Sequence, residues 1–186
     1  SKKVTFEIWE PGPKDQVPPG TMSGAKSRCP VCGSLLTPDY IKQCGHAGKM
    51  GAQMTAVVVD TPNGKEYRRP ILEEIEAVRR ASEALPNAAV QVPYGLPTEP
   101  LPGPETLGFR VPLYGFKTWA DLFIPRQLLS ALVFVKWTRG AASSAMLQAG
   151  YSSELTLAIT SYLSCVVNKL ADYNSTIVTW QPMGQK

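Results

Sequence analysis

Two thiols three positions apart, in Cys29-Pro30-Val31-Cys32-Gly33, constrain this chain more than any other feature. A C-x-x-C turn backed by glycine is one knuckle of a zinc ribbon: it offers two sulfur ligands to one ion while the chain reverses. Structural zinc takes four ligands in a tetrahedron, so the other pair must come from elsewhere. Within the 186 residues the candidates are Cys44 and His46, because the fourth cysteine, Cys165, lies in a helical pattern far downstream. The Cys44-x-His46 spacing is poor. On an extended segment the two side chains point opposite ways, and only a tight turn, which Gly45 and Gly48 permit, brings both to one ion. The alternative for Cys29 and Cys32 is a reduced, metal-free turn. Their flanking proline and glycine favour metal, whereas for Cys44 and His46 the spacing favours the plain reading.

With 44% hydrophobic residues, the chain has material for one domain or two small ones. No apolar run approaches the ~20 residues of a membrane span, and Lys2 and Lys3 are not followed by an apolar signal core. A soluble, cytoplasmic protein is expected, since four cysteines without a regular framework fit a reducing compartment. The net charge of +4, from 19 basic and 15 acidic residues, tolerates a polyanionic partner without requiring one.

Along the chain, Val4 to Trp9 alternate as a strand, and residues 11–27 read as a loop leading into the knuckle. Asp39 caps a short helix or turn, followed by a flexible basic segment carrying Lys42 and Lys49 among Gly45, Gly48 and Gly51. Residues 54–69 spell a β-hairpin turning at Asn63-Gly64, and Pro70 opens a helix through about Leu85. Arg68, Arg69, Arg79 and Arg80 cluster there, but Glu73, Glu74 and Glu76 interleave with them and favour surface ion pairs.

Residues 86–104 hold six prolines and read as a boundary that admits neither helix nor interior strand. Beyond it, a helix starts at Pro125, with Leu128, Leu129, Leu132 and Val133 as its apolar stripe, and stops near Arg139-Gly140. Residues 141–150 form a short helix or a loop. A long helix over about 152–173 carries Leu155, Ile159, Tyr162, Val166, Leu170 and Tyr173 as a core-facing stripe. Ile177 to Trp180 read as a strand. Structure beginning and ending so close to the two termini points to a fragment of a longer chain.

Several stretches together resemble the zinc-ribbon-containing adenine-specific DNA methylases of bacteria and archaea. They include the knuckle at 29–33, Asp39-Tyr40-Ile41-Lys42, Gly48-Lys49-Met50-Gly51, Gly64-Lys65-Glu66-Tyr67-Arg68, Trp119 to Leu128 with its Phe123-Ile124-Pro125-Arg126-Gln127 core, and Leu170 to Ser175 followed by Trp180. The resemblance implies an S-adenosylmethionine-dependent enzyme that methylates the exocyclic amine of adenine in DNA on a Rossmann-like core. Such enzymes carry an Asp-Pro-Phe-x-Gly-Gly-Gly cofactor loop before this region and an Asp-Pro-Pro-Tyr motif after it; neither occurs here. The family also places a further Cys-x-x-Cys upstream of residue 4, which would then supply the partners of Cys29 and Cys32. Ile124 stands where the family tends to have threonine, so the capping of the following helix is open.

The expected fold class is α+β: a small zinc-ribbon-like β part with hairpin and helix over 1–85, a proline-rich linker over 86–104, and a mainly helical part over 105–186 that supports the core of a larger Rossmann-like methyltransferase. Lys42, Lys49, Arg68 and Arg69 are the candidate DNA contacts. Arg126, Gln127 and Asn174 are expected to tie the helical part to the remainder of the methylase chain. No residue of this chain is assigned to catalysis or to the S-adenosylmethionine site. Two other readings stand beside this one: a stand-alone zinc-ribbon module that binds nucleic acid or a protein without doing chemistry, and a metal-free structural domain.

Overall fold

The computed structural model describes residues 5–8, 19–106 and 108–179. The protein is α+β, and its contacts divide into two compact units. The first joins the described residues of Ser1–Ile75 to those of Pro102–Phe116, and the second joins Glu76–Leu101 to Lys117–Lys186.

In the first unit, β1 (Met22–Ser23), β2 (Lys26–Arg28) and β3 (Leu35–Leu36) form a small antiparallel sheet in that order. The loop expected over 11–27 is thus corrected at 22–27, where Gly24 at φ 59° lets the chain double back and pair Met22 with Ser27; residues 11–18 lie outside the described residues. Helix α1 (Pro38–His46) is capped by Thr37, whose hydroxyl accepts the Tyr40 N–H at 3.3 Å. Asp39 therefore sits in the first turn rather than at the cap, because the residue before Pro38 already has the extended backbone a cap requires. Lys42 belongs to this helix. Gly48, at φ 65°, ends it as the Lys49 N–H reaches back to the Cys44 carbonyl at 2.9 Å.

The hairpin forms as expected from β4 (Val57–Thr61) and β5 (Gly64–Arg68). Its turn is corrected by one residue, from the expected Asn63-Gly64 to Pro62 and Asn63, because Gly64 is already in β5 and pairs with Thr61. Thr61 draws the turn together by accepting the Asn63 N–H and donating to the Gly64 carbonyl at 2.8 Å. The strand expected at the N-terminus does not form over the described residues 5–8, and Val4 and Trp9 lie outside them. Alternation gave that segment a strand-like face but no edge to pair with. A 3-10 turn over Val111–Tyr114, closed by Gly115 at φ 92°, packs against α1.

Helix α2 (Leu72–Ala89) starts two residues after Pro70 and runs through Pro86, so the exclusion of helix from 86–104 is corrected at residues 86–89. Pro86 removes one backbone bond, and Ala84, Ala88 and Ala89, strong helix formers, surround it. In the second unit Val92 and Leu101, both from the proline-rich stretch, are buried with Ala81, Leu122, Leu128 and Leu132. Pro100 forms an antiparallel bridge with Thr118, and the Leu101 N–H donates to the Lys117 carbonyl at 2.8 Å.

A 3-10 turn over Trp119–Leu122 leads into α3 (Pro125–Lys136). Leu128 and Leu132, one turn apart, are buried, while Val133 of the expected stripe is exposed. The expected stop at Arg139-Gly140 is corrected: Gly140 stays out of the left-handed region, and a π-type stretch, Trp137–Ala142, carries the helix into α4 (Ser143–Gln148). Gly150, at φ 86°, supplies the break ten residues later. Helix α5 (Ser153–Tyr173) follows, with the Ser152 hydroxyl accepting the Leu155 N–H at 3.2 Å, and packs on α3 and α4.

The core-facing stripe of α5 is corrected by a rotation of about one residue. Of the expected stripe Leu170 is half-buried, but Tyr162, Val166 and Tyr173 are 78%, 64% and 64% exposed, whereas Thr156 is buried and Thr160, Val167 and Ala171 share the half-buried side with Leu170. Both sets repeat with the helical period, and the smaller one permits the closer approach to α3 and α4. The strand expected over 177–180 does not form at the described residues 177–179; Trp180 lies outside them. Thr176 instead bonds through its N–H and hydroxyl to the Leu122 carbonyl, at 2.7 and 2.8 Å. Among the described residues no helix is long and apolar enough to cross a membrane.

Candidate functional site: a thiol knuckle and a polar cavity

The knuckle sits at the closed end of the β2–β3 hairpin. Pairing of Arg28 with Leu35 brings the strands together, the Cys29 N–H donates to the Ser34 carbonyl at 2.9 Å, and the Gly33 N–H returns to the Cys29 carbonyl at 2.9 Å. Gly33 takes φ 73°, a conformation that would strain any residue with a Cβ, which explains the glycine behind the second thiol. Cys32 is exposed and Cys29 half-buried, and neither is in a disulfide. The Ser34 hydroxyl, 3.2 Å from the Cys32 sulfur, holds that thiol below its ordinary pKa, aided by the Ser34 N–H and by Cys29. These bonds ease the loss of the Cys32 proton, and thiolate is the form that binds zinc.

Tyr40 and Cys44 lie one turn apart on α1. Their hydrogen bond, followed by the charge of Cys44, pushes the Tyr40 phenol above its usual range, and Cys29 adds to the effect. Tyr40 is thus the residue that feels both Cys44 and the first thiol of the knuckle. His46 does not accompany Cys44: the two residues are about 200° apart around the helix, with Cys44 half-buried and His46 exposed. Among the described residues no group of three or more His, Cys, Asp or Glu side chains is assembled for a metal ion. Cys29 and Cys32 fit half of a zinc site. Ser34 and Tyr40 were missed by the sequence reading, although the Tyr40/Cys44 spacing of four within a helix was available to it.

The DNA-contact candidates have different surroundings. Arg68 is held by both oxygens of Glu74, at 2.6 and 2.9 Å, and Glu74 also accepts the Ile71 N–H. This is the ion pairing that the interleaved glutamates imply, and Arg79 repeats it with Glu76 and Glu83. Arg69 meets Glu7 at 3.4 Å and Lys42 meets Asp39 at 3.7 Å, both in exposed pairs worth little against solvent. Lys49 makes no ion pair among the described residues.

In the second unit Arg126, Gln127 and Asn174 converge on one cavity of about 200 Å³ at the junction of α3 and α5. Gln127 caps α3, its side-chain oxygen accepting the Ile124 N–H at 2.9 Å, so the isoleucine in place of threonine leaves that N–H satisfied. Asn174 closes α5 by donating its amide to the Leu170 carbonyl at 2.9 Å. Asp121 fastens the preceding turn through the N–H groups of Lys117 and Thr118, at 2.7 and 2.8 Å. Burial pushes its carboxyl up, and these bonds outweigh burial and hold it below its usual range.

Fold and site together define an α+β protein with two small antiparallel sheets, a thiol knuckle on one of them, and a helical unit holding a polar cavity. No protein-family model matches the chain, and no curated protein or solved structure matches it.

Proposed function

We propose that this chain is the central, zinc-ribbon-bearing segment of a cytoplasmic, S-adenosylmethionine-dependent DNA adenine-N6 methyltransferase, contributing DNA binding and scaffolding while catalysis resides elsewhere in the parent protein. The observation that carries this reading is the preformed knuckle. Cys29 and Cys32 occupy a hairpin end whose backbone bonds and left-handed glycine suit a two-thiolate zinc turn. Among its described residues the first unit buries no side chain to the depth of Leu122 or Leu132 in the second, so bound metal would supply cohesion that apolar packing there does not. The two motifs of the helical unit that resemble the methylases meet through the Thr176–Leu122 bonds and the shared cavity.

In this reading Lys42, Lys49 and Arg69 meet DNA phosphates, and Arg68 keeps the hairpin on α2 through Glu74. An antibody raised against the chain tests the placement in a longer enzyme. Detection in the source cell of a polypeptide well above 20.2 kDa, which transfers label from S-adenosylmethionine to adenine in DNA, is expected. A native product of 20.2 kDa, or label transfer by the isolated chain, would overturn it. The stand-alone zinc-ribbon reading requires Cys44 to join Cys29 and Cys32 on one ion, and Tyr40, which feels the charge of both Cys44 and Cys29, is the one link between them. Release of bound zinc by Cys44→Ser as readily as by Cys32→Ser would select it.

A further inference from the structure

We infer that α5 pairs, antiparallel, with the α5 of a second copy of this chain, through the stripe that packing on α3 and α4 leaves bare. Leu155, Ile159, Tyr162, Val166 and Tyr173 all carry large apolar surfaces, and all are exposed. Their spacing is that of a helix seam. Leu155, Tyr162 and Lys169 stand seven positions apart, and so do Ile159, Val166 and Tyr173. Such a repeat keeps one face of a helix against a partner helix along its whole length, which a stripe meant for a single contact does not need. With an aromatic side chain counted at ~200 Å², the five residues expose roughly 500 Å² in each copy. Pairing two such stripes, with Ala158, Cys165 and Lys169 beside them, reaches the ~1,000 Å² of total buried surface that a specific interface requires.

The charges decide both the occupant and its direction. Glu154, in the first turn of α5, makes no ion pair among the described residues. Lys169, near the other end, is held at the stripe by Asp172 at 3.1 Å and by the Tyr173 ring, whose centre is 4.3 Å away. Helical geometry puts Glu154 and Lys169 on the same flank of the stripe. In an antiparallel pair like flanks meet. Setting Leu155 against Val166 of the second copy, and Ile159 against Tyr162 of the second copy, leaves Glu154 about 3 Å along the axis from Lys169 of the second copy. Two-fold symmetry makes that ion pair twice. A parallel pair would instead set each charge level with its own like, and opposite charges would not meet. The face is thus complementary to itself, which is the property a second copy recognises. This inference does not depend on the methylase reading, because it uses α5 alone.

Analytical ultracentrifugation of the full 186-residue chain, from about 1 to 200 µM, tests it. A reversible shift from 20.2 kDa to twice that mass is expected. Tyr162→Glu should weaken the dimer at least tenfold. Leu157→Glu, the same change at an equally bare residue about 160° around the helix from Leu155, should leave it as it was. Glu154→Lys and Lys169→Glu should each weaken the dimer, and the double exchange should restore it. That restoration decides the matter even if the Tyr162 variant folds poorly, because both charges are exposed. A 20.2 kDa species at every concentration, larger aggregates without a dimer, equal loss in Leu157→Glu, or no recovery in the double exchange would each overturn the proposal.

Discussion

Gly45→Ala tests how α1 is seated, and the structure sets both sign and size. Gly45 is the penultimate residue of α1 and faces the turn over Val111–Tyr114. A Cβ at this position would overlap the Tyr114 carbonyl oxygen and lie 2.6 Å from the carbonyl carbon and 3.2 Å from the Cα, against the ~3.5–4.0 Å of a comfortable carbon contact. Every obstacle is main chain, so no change of rotamer relieves it. Gly115 faces the same constraint from the other side, since a Cβ there would overlap Gly45 and lie 2.8 Å from the His46 nitrogen. In an open helix, glycine to alanine gains about 1 kcal/mol, whereas overpacking costs about 1–3 kcal/mol. With an unyielding backbone the upper part of that range applies, giving a net loss of about 2 kcal/mol. For a chain of this length the melting temperature should fall by roughly 4–8 °C. Gly140→Ala is the matched reference, because nothing lies within 4 Å of a Cβ there and its backbone is helical; it should gain up to about 1 kcal/mol. Thermal and urea unfolding of both variants, read by circular dichroism, suffice. Stabilisation by Gly45→Ala comparable to that by Gly140→Ala would refute the seating of α1 against Tyr114 and Gly115.

Three further outcomes follow from individual groups. Thr156 is 4% exposed and its hydroxyl has no partner among the described residues, so Thr156→Val, nearly the same shape, should raise stability by about 1–2 kcal/mol in urea unfolding; a loss would mean the hydroxyl is satisfied. Glu74 is held below the usual carboxylate range, chiefly by Arg68 and then by the Ile71 N–H. Its contribution is therefore complete above the unfolded value near pH 4.3 and lost as pH falls through the lower folded value, and the drop in urea midpoint between pH 7 and pH 3 should be smaller in Glu74→Gln. An equal drop in both proteins would refute the linkage. Ser34→Ala should raise the pH midpoint for alkylation of Cys32, measured by mass spectrometry with iodoacetamide, and an unmoved midpoint would count against the hydroxyl as the cause.

The division between what was legible and what was not follows the range of the interactions. The 57–68 hairpin, the helix after Ser152 and the knuckle were legible because each is closed by neighbours in sequence: the Thr61-Pro62-Asn63-Gly64 turn, the Ser152 cap and the Cys29-to-Ser34 bonds. Interleaved Arg and Glu also announced their own ion pairs. The described residues 5–8 and 177–179 belong to stretches with strand-like composition, but a strand exists only where a second one pairs with it, and no local pattern supplies that edge.

Tertiary structure decided which face of α5 turns inward, since the Leu155 and Thr156 series share the helical period and only the packing of α3 and α4 distinguishes them. It carried the helix through Gly140, whose freedom goes unused because the neighbouring residues stay helical. It also set the distant pairs of the cavity, placing Arg126 and Asn174, 48 positions apart, on one wall. By itself the sequence determined the turns, caps and thiol spacing, whose energies are spent within a few residues. Contacts between remote segments depend on which surfaces fit when the chain collapses, and that selection belongs to the folded structure.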